Sequence, residues 1–415
     1  MKSKYDIAII GGGLVGSVMA IALAQLNFKV ALIEANAPIK QAEKDPRDDR
    51  AIVLSYGSKN ILESLGLWSY FESYTTPIKK IHVSDRGHFG KVRIDAAEEN
   101  VDALGYVVLA YPLGVGISEG LKKYPDHITT IYQAKFQDFE DDFAQVVVDV
   151  NGEKQIIKTD LVIASDGSNS PVRHQLNIET EITDYHQRVV IAQIELEKNH
   201  DFTAYERFTA NGPLALLPQG DKTAALIWSA SPDDAKKISQ LNSKDFIERL
   251  QNEFGYSLGE FKNPTKPYVF PLQLIQAKSL GTPGVILVGN SAHTLHPIAG
   301  QGLNLGLRDV ALLAELLFDC RNAGKPINDE QFLQQFTKMR ISDHENIIHL
   351  THGLVGMFSN AFIPAIVGRN IGLSLMDRIP FLKSKLAQST MGFSGKNSKL
   401  ASNIPIKEWC YDETI

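Results

Sequence analysis

Six residues near the start of the chain have the types and spacing that bind a dinucleotide. Gly11-Gly12-Gly13-Leu14-Val15-Gly16 has the form G-x-G-x-x-G. A short apolar run, Tyr5 to Ile10, precedes it, and Leu14 to Leu26, rich in Ala, Val, Leu and Met, follows as a predicted helix. A second β-branched run, Phe28 to Ile33, ends at Glu34, 23 residues after Gly11. That is close to the spacing of about 20 at which an acidic residue meets the ribose. Each glycine has its own task. Gly11 permits the tight turn, Gly13 lets the backbone approach a pyrophosphate, and Gly16 lets the helix pack closely on the sheet. The free N–H groups of the helix N-terminus then face the phosphates, and Glu34 accepts from the ribose hydroxyls. The fingerprint alone does not distinguish NAD from FAD.

Two further segments carry chemistry. Leu161 to Ser165 reads as a short buried strand, followed by Asp166-Gly167 and a loop closing on Arg173. Val285 to Val288 is another such strand. After it comes Gly289-Asn290-Ser291-Ala292-His293-Thr294-Leu295-His296-Pro297-Ile298-Ala299-Gly300-Gln301-Gly302-Leu303-Asn304-Leu305-Gly306-Leu307-Arg308-Asp309, which runs into a long apolar helix from Asn304 to Phe318.

The rest of the chain must place these segments together. Ile81–Asp85 and Lys91–Asp95 flank Arg86 to Gly90 as a hairpin, and Arg188–Leu196, Tyr205–Thr209 and Thr223–Ser229 suggest a separate sheet. Ile128–Gln133, Gln145–Val150 and Gln155–Lys158 read as further strands, with a turn at Asn151-Gly152. Lys40 to Arg50, dense in charge and holding Pro46, reads as a loop, and the last seventy residues read as apolar and helical. The expected fold is therefore α/β. A Rossmann-like unit is assembled from dispersed segments (1–80, 96–178 and 275–340). A mixed-sheet substrate unit covers it (81–95 and 179–274), and a helical C-terminal region follows (341–415).

Composition narrows the function classes. The net charge of −6 argues against a general nucleic-acid binder. Two cysteines, Cys320 and Cys410, give neither a disulfide framework nor a cysteine metal site, and they suit a reducing cytoplasm. No metal ligand set is expected. The N-terminal apolar run passes directly into the glycine turn, unlike a secretory signal. The stretch from Asn346 to Gly368, free of Asp, Glu, Lys and Arg, is too polar and too broken for a membrane span.

The three motifs, in this order, resemble the flavoprotein monooxygenases, the family of aromatic-ring hydroxylases that includes p-hydroxybenzoate hydroxylase; the resemblance spans residues 5 to about 340. Glu206-Arg207-Phe208 and Gly212 to Pro218 resemble the ubiquinone-biosynthesis hydroxylases within it, nearest the 2-octaprenyl-6-methoxyphenol hydroxylase type. Gly289-Asn290 supports that branch, since the wider family usually has Asp after this glycine. The resemblance implies FAD, with Gly11, Gly12, Gly13, Gly16 and Glu34 on its ADP half. Arg50 and Asp166 would stand near the cofactor, and Gly289 and Asn290 at the ribityl chain. Pro297, Gly300, Gln301, Gly302, Leu303 and Asn304 would wrap the flavin ring. At Ala110-Tyr111-Pro112-Leu113 the chain lacks the polar residue that the family often sets against FAD.

By the same resemblance NAD(P)H reduces the flavin, O2 adds as a C4a-hydroperoxide, and a polyprenyl phenol is hydroxylated on its ring. No second nucleotide fingerprint is present for NAD(P)H, and no side chain is singled out as a base. His293 and His296 read as structural. The alternatives are a hydroxylase of another aromatic compound or a flavin-binding subunit of a ubiquinone-biosynthesis complex. The expected location is cytoplasmic and peripheral to the inner face of the membrane. The apolar stretch Ile347–Leu375 is a candidate for contact with lipid or partner enzymes.

Overall fold

The computed structural model describes residues 4–38, 50–209, 211–295, 300–359, 363–393 and 397–409. The apolar runs around the glycine loop form adjacent parallel strands. Ile7–Ile10 lies between Val30–Glu34 and Leu161–Ala164, with Ile7 opposite Val30 on one side and Leu161 on the other. Every residue of Ile7–Ile10 and Leu161–Ala164 is buried. Strands covered on both faces read as continuous apolar runs, as these do. The full order is Gly281–Thr282, Val285–Leu287, Leu161–Ala164, Ile7–Ile10, Val30–Glu34 and Ile128–Tyr132. Only the Gly281–Thr282 pairing runs antiparallel. The chain leaves Ile7–Ile10 toward one neighbour and reaches the other much later. Such a switch point opens a crevice at the carboxyl ends of the strands, where ligands bind.

The helix Leu14–Gln25 is buried at every position from Gly16 to Ala24. It is apolar all round because it packs against the sheet and against the long helix Gln301–Asn322. That long helix starts three residues earlier than the apolar pattern indicates.

A second sheet grows on the long strand Thr180–Leu196, which pairs with Tyr268–Ala277 and Thr223–Ala230. It continues through Gly212–Gln219, Thr203–Thr209, Lys80–Asp85 and Lys91–Asp95. The expected hairpin is present, with Ile81 opposite Ile94. Gly212–Gln219 was not legible as a strand. It carries Pro213 and Pro218, and its almost unbroken burial hides any period of two. Tyr268–Ala277 runs across the expected boundary at 274/275. Two helices, Pro232–Gln240 and Ser243–Phe254, also lie in this segment, capped by Ser231 and Asn242.

The C-terminal helices are Glu330–Ser359, Ile363–Arg378 and Pro380–Thr390. The chain then returns to the first core. The Asn60 side-chain amide donates to the Ala401 carbonyl at 3.1 Å, and Leu400 and Ala401 are buried with the parallel sheet.

One close approach tests this packing. A Cβ at Gly16 would stand 2.0 Å from the Gly11 carbonyl oxygen and 2.4 Å from Ser165 Oγ. Gly16→Ala is expected to destabilise by ~1–3 kcal/mol, because the crowding outweighs the helix-propensity gain of ~1 kcal/mol. The midpoint of urea unfolding measures it; an unmoved midpoint would contradict the packing.

Candidate active site

The glycine loop lies at the carboxyl ends of Ile7–Ile10 and Leu161–Ala164. Gly11 has φ +103, and a Cβ there would meet the Ser165 carbonyl oxygen at 2.4 Å. Only glycine can sit in this turn. A Cβ at Gly13 would meet no atom within 4 Å, so the backbone here borders open space. Ser17 N–H makes the first helical bond, to the Gly13 carbonyl at 2.9 Å, which leaves the amides of the first turn for a ligand. Glu34 already serves the protein. Its Oε2 accepts from Gly12 N–H at 2.7 Å, and its Oε1 accepts from the Asn36 backbone and side chain at 2.8 and 2.7 Å. One lone pair on Oε2 remains for a ligand hydroxyl.

Asp166 stands beside this loop. Its Oδ2 accepts from Val172 N–H at 3.0 Å, while its buried Oδ1 has no hydrogen-bond partner among the described residues. Burial pushes its carboxyl above the usual range. Arg173, which closes this segment, donates to the Ser291 and Ser168 carbonyls at 2.8 and 2.7 Å, and so ties the second motif to the third.

The third motif is held by a buried carboxylate. Gly289, at φ +59, donates its N–H to Asp309 Oδ2 at 3.0 Å. Asp309 Oδ1 accepts from Arg340 Nε at 2.7 Å and from His344 Nε2 at 2.9 Å. Arg340 reaches on to Asp343 at 2.5 Å, and Arg308 bonds Asp343 at 2.8 Å. Burial alone would raise the Asp309 pKa, but Arg340 and the His344 hydrogen bond outweigh it and hold the group ionised. His293 packs on His344 with ring centroids 4.5 Å apart. Burial and His344 push its pKa down to about 3, so the ring is neutral. His293, Asp309 and His344 converge as a metal ligand set would, but Arg340 already supplies the balancing charge. Neither the cluster nor Arg340 was picked out from the sequence. Asp309 closed the third motif there, but its partners lie 31 and 35 residues away.

Next along the chain, Gly300 is left-handed at φ +60, and a Cβ there would press on Val53 at 2.7 Å. Asn304 is fully committed to the backbone. Its Oδ1 accepts from Ser55 N–H at 2.9 Å, and its Nδ2 donates to the Val53 and Gly300 carbonyls at 2.9 and 2.7 Å. It shapes the loop instead of offering it a free donor. Gln301 is buried, Leu303 packs on the core, and a Cβ at Gly302 would meet open space. Asn290 is exposed and Arg50 lies 5.9 Å from the centre of the Phe270 ring. Pro297 and His296 fall outside the described residues.

Gly300 and Asn304 also border a cavity of about 230 Å³. The mixed sheet supplies one wall, with Ile81, Val83, Leu217 and Ile227, and Leu373, Met376 and Leu386 of the C-terminal helices supply another. Glu206 is its one charged lining residue among those described. Burial pushes the Glu206 carboxyl up to about 7.

A model of the FAD binding domain matches residues 4–327. The chain belongs to that family. It is 30% identical over 388 residues to the 3-demethoxyubiquinol 3-hydroxylase of Escherichia coli (strain K12), covering 93% of this chain and 98% of that one. It is 28% identical over 441 residues to the human mitochondrial ubiquinone biosynthesis monooxygenase COQ6, covering 94% and 92%. The crystal structure of p-nitrophenol 4-monooxygenase PnpA from Pseudomonas putida superposes with a TM-score of 0.76 at 16% identity, covering 95% of this chain and 100% of that one. The chain is accordingly an FAD-dependent monooxygenase of the α/β, Rossmann-like type. The cradle fits FAD on its own geometry: open space at Gly13 and Gly302, unspent helix amides, and an unpartnered buried oxygen on Asp166.

Two outcomes are expected. Asp309→Asn leaves Arg340 buried with less compensating charge and costs about 3–5 kcal/mol. The melting temperature and the FAD retained after desalting should both fall, and an unchanged melting temperature would contradict the clamp. Glu206, with a folded pKa of about 7 against an ordinary 4.5, stabilises the fold below pH 4.5, and that contribution is lost as pH rises through about 7. The difference in stability between wild type and Glu206→Gln, followed by urea unfolding across this range, should therefore swing in favour of the variant as pH rises.

Proposed function

We propose that the chain hydroxylates the ring of a polyprenylated phenol in ubiquinone biosynthesis, with FAD as cofactor, O2 as oxidant and NAD(P)H as donor. The observation that carries this reading is the apolar cavity against Gly300 and Asn304. FAD, once reduced, activates O2; the chain's part is to hold the ring beside it and to exclude water. Gly11, Gly12, Gly13, Gly16 and Glu34 would hold the ADP half. Arg50, Asp166, Gly289 and Asn290 would lie along the pyrophosphate and ribityl chain, and Gly300 to Leu303 would border the flavin ring. The parallel-sheet segments would form the cofactor unit and the mixed sheet the substrate unit.

A volume of about 230 Å³ suits a substituted phenol ring and the first part of a tail. It falls short of the ~300–1,000 Å³ that encloses a whole drug-sized ligand, so a long tail must leave the cavity. The helices that line it with Leu373, Met376 and Leu386 also expose Ile371, Leu375, Ile379, Phe381 and Leu382, with Arg378 and Lys385 exposed beside them. An apolar row with basic flanks suits an anionic lipid surface. Among the described residues no helix is long and apolar enough to cross a membrane, so this contact is peripheral.

Cells lacking the protein should accumulate a prenylated phenol one hydroxylation short of ubiquinone, detectable by mass spectrometry of quinone lipids. Normal ubiquinone with no accumulation, where no second enzyme covers the step, would sink the assignment. Phe381→Glu should reduce sedimentation with anionic liposomes and slow turnover of a long-tailed substrate while sparing a short-tailed one. Unaltered sedimentation would shift the exposed row to a protein partner.

A further inference from the structure

The strand Thr203–Thr209 turns alternate side chains toward the cavity. Ala204, Glu206 and Phe208 line it, while Arg207 faces the groove on the other side with His88 and Phe254. Glu206 lies opposite Ala215 on one neighbouring strand and Val83 on the other, and neither can bond it. No hydrogen bond or ion pair reaches its carboxyl among the described residues, and the side chain is half-buried, open to the cavity. Strands Lys80–Asp85, Lys91–Asp95, Gly212–Gln219 and Thr223–Ala230 present apolar side chains to this space, as do the helices carrying Leu373, Met376 and Leu386. Tyr205 is the only other titratable lining residue among those described, and burial raises its pKa too. Asn304 has spent its amide on the backbone. A lone carboxyl in an apolar chamber works against stability, and such local violations mark functional positions.

We propose that Glu206 is a catalytic residue that receives the hydroxyl of the phenol and takes its proton as the ring is oxygenated. This rests on the cavity being the phenol's site. The phenol O–H bond breaks toward the Glu206 carboxylate, and the electron pair left on oxygen raises the electron density of the ring. A ring carbon then bonds one atom of O2. The two electrons for the other atom come from NAD(P)H by way of FAD, and that atom leaves as water with the proton lost from the ring carbon. Glu206 returns its proton to the ring oxygen. The sum is ArH + O2 + NAD(P)H + H⁺ → ArOH + H2O + NAD(P)⁺. The proton sits on Glu206 only between the first and last steps, as a general base requires. A group that titrates near 7 in the free enzyme is matched to that task.

The test uses the FAD-loaded protein without NAD(P)H, so that no turnover occurs. Binding of a geranylated 2-methoxyphenol and of its O-methyl ether is followed by flavin fluorescence. The wild type should prefer the phenol by about 10- to 100-fold, the worth of a hydrogen bond to a charged group. That preference should grow as pH rises through about 7. Glu206→Gln should bind both ligands nearly equally and lose the pH dependence, and Glu206→Asp should restore part of the preference. With NAD(P)H added, turnover by the Gln variant should fall by about 10²- to 10⁴-fold. A Gln variant that keeps the preference and its pH dependence would overturn the role of Glu206 while leaving the cavity reading intact. A Gln variant that unfolds would mark the residue as structural and also overturn it. If the wild type binds neither ligand, the cavity reading falls and takes the role of Glu206 with it.

Discussion

The third motif depends on one buried carboxylate. Asp309 joins the Gly289 amide, the helix on which it stands, and the helix Glu330–Ser359 through Arg340 and His344. Burying these charges costs several kcal/mol per ion, so the cluster is weak evidence of net stability. What it fixes is position. Gly289 is pinned where the strand Val285–Leu287 ends, and the following helix is aimed at the same point. Gly306 completes the approach, since a Cβ there would stand 2.8 Å from a Val15 methyl and 3.3 Å from the Gly289 Cα. Asn304 then sews the start of that helix to the backbone of Val53 and Ser55. The cofactor cradle and the cavity wall are thus set by the same few bonds.

Two environments meet at Gly300 and Asn304. On one side lie backbone amides, glycines and Asp166, suited to a polar, anionic cofactor. On the other lies an apolar chamber with one carboxyl. The helices closing that chamber are tethered to the hairpin, and the end of the last one also to the segment after Ser55, where Gly57 N–H donates to the Met391 carbonyl at 2.9 Å. Arg369 donates to the buried Asp85 at 2.7 and 3.0 Å, and Arg93 bonds Asp377 at 3.1 Å. Removal of a partner from the Asp85 pair would weaken the tether at the hairpin and leave the Met391 anchor in place.

What was legible in the sequence follows the range of the interactions. The fingerprint, its two strands and its helix are local, and burial on both faces left unbroken apolar runs. The hairpin at 80–95 was visible from alternation and its turn. Gly212–Gln219 was not, because proline and continuous burial mask the strand. Ser231-Pro232 followed by two aspartates is a readable helix start that the surrounding strand pattern concealed. Asn304 was expected in the segment that wraps the flavin ring, but the bonds of its side chain to Val53, Ser55 and Gly300 were not legible. Arg340 and Arg369 meet Asp309 and Asp85 across 31 and 284 residues, and spacing carries no signal at that range. Glu206 opens the Glu206-Arg207-Phe208 motif, but its isolation depends on the surrounding strands, which the motif does not show.

The central claim is that ring oxygenation takes place in this cavity. Its most direct test is a single turnover with NAD(P)H, isotopically labelled O2 and a geranylated phenol. The expected product bears one labelled oxygen on the ring and forms in proportion to the NAD(P)H consumed. NAD(P)H oxidation that yields labelled hydrogen peroxide and unchanged phenol, with the phenol bound, would contradict it.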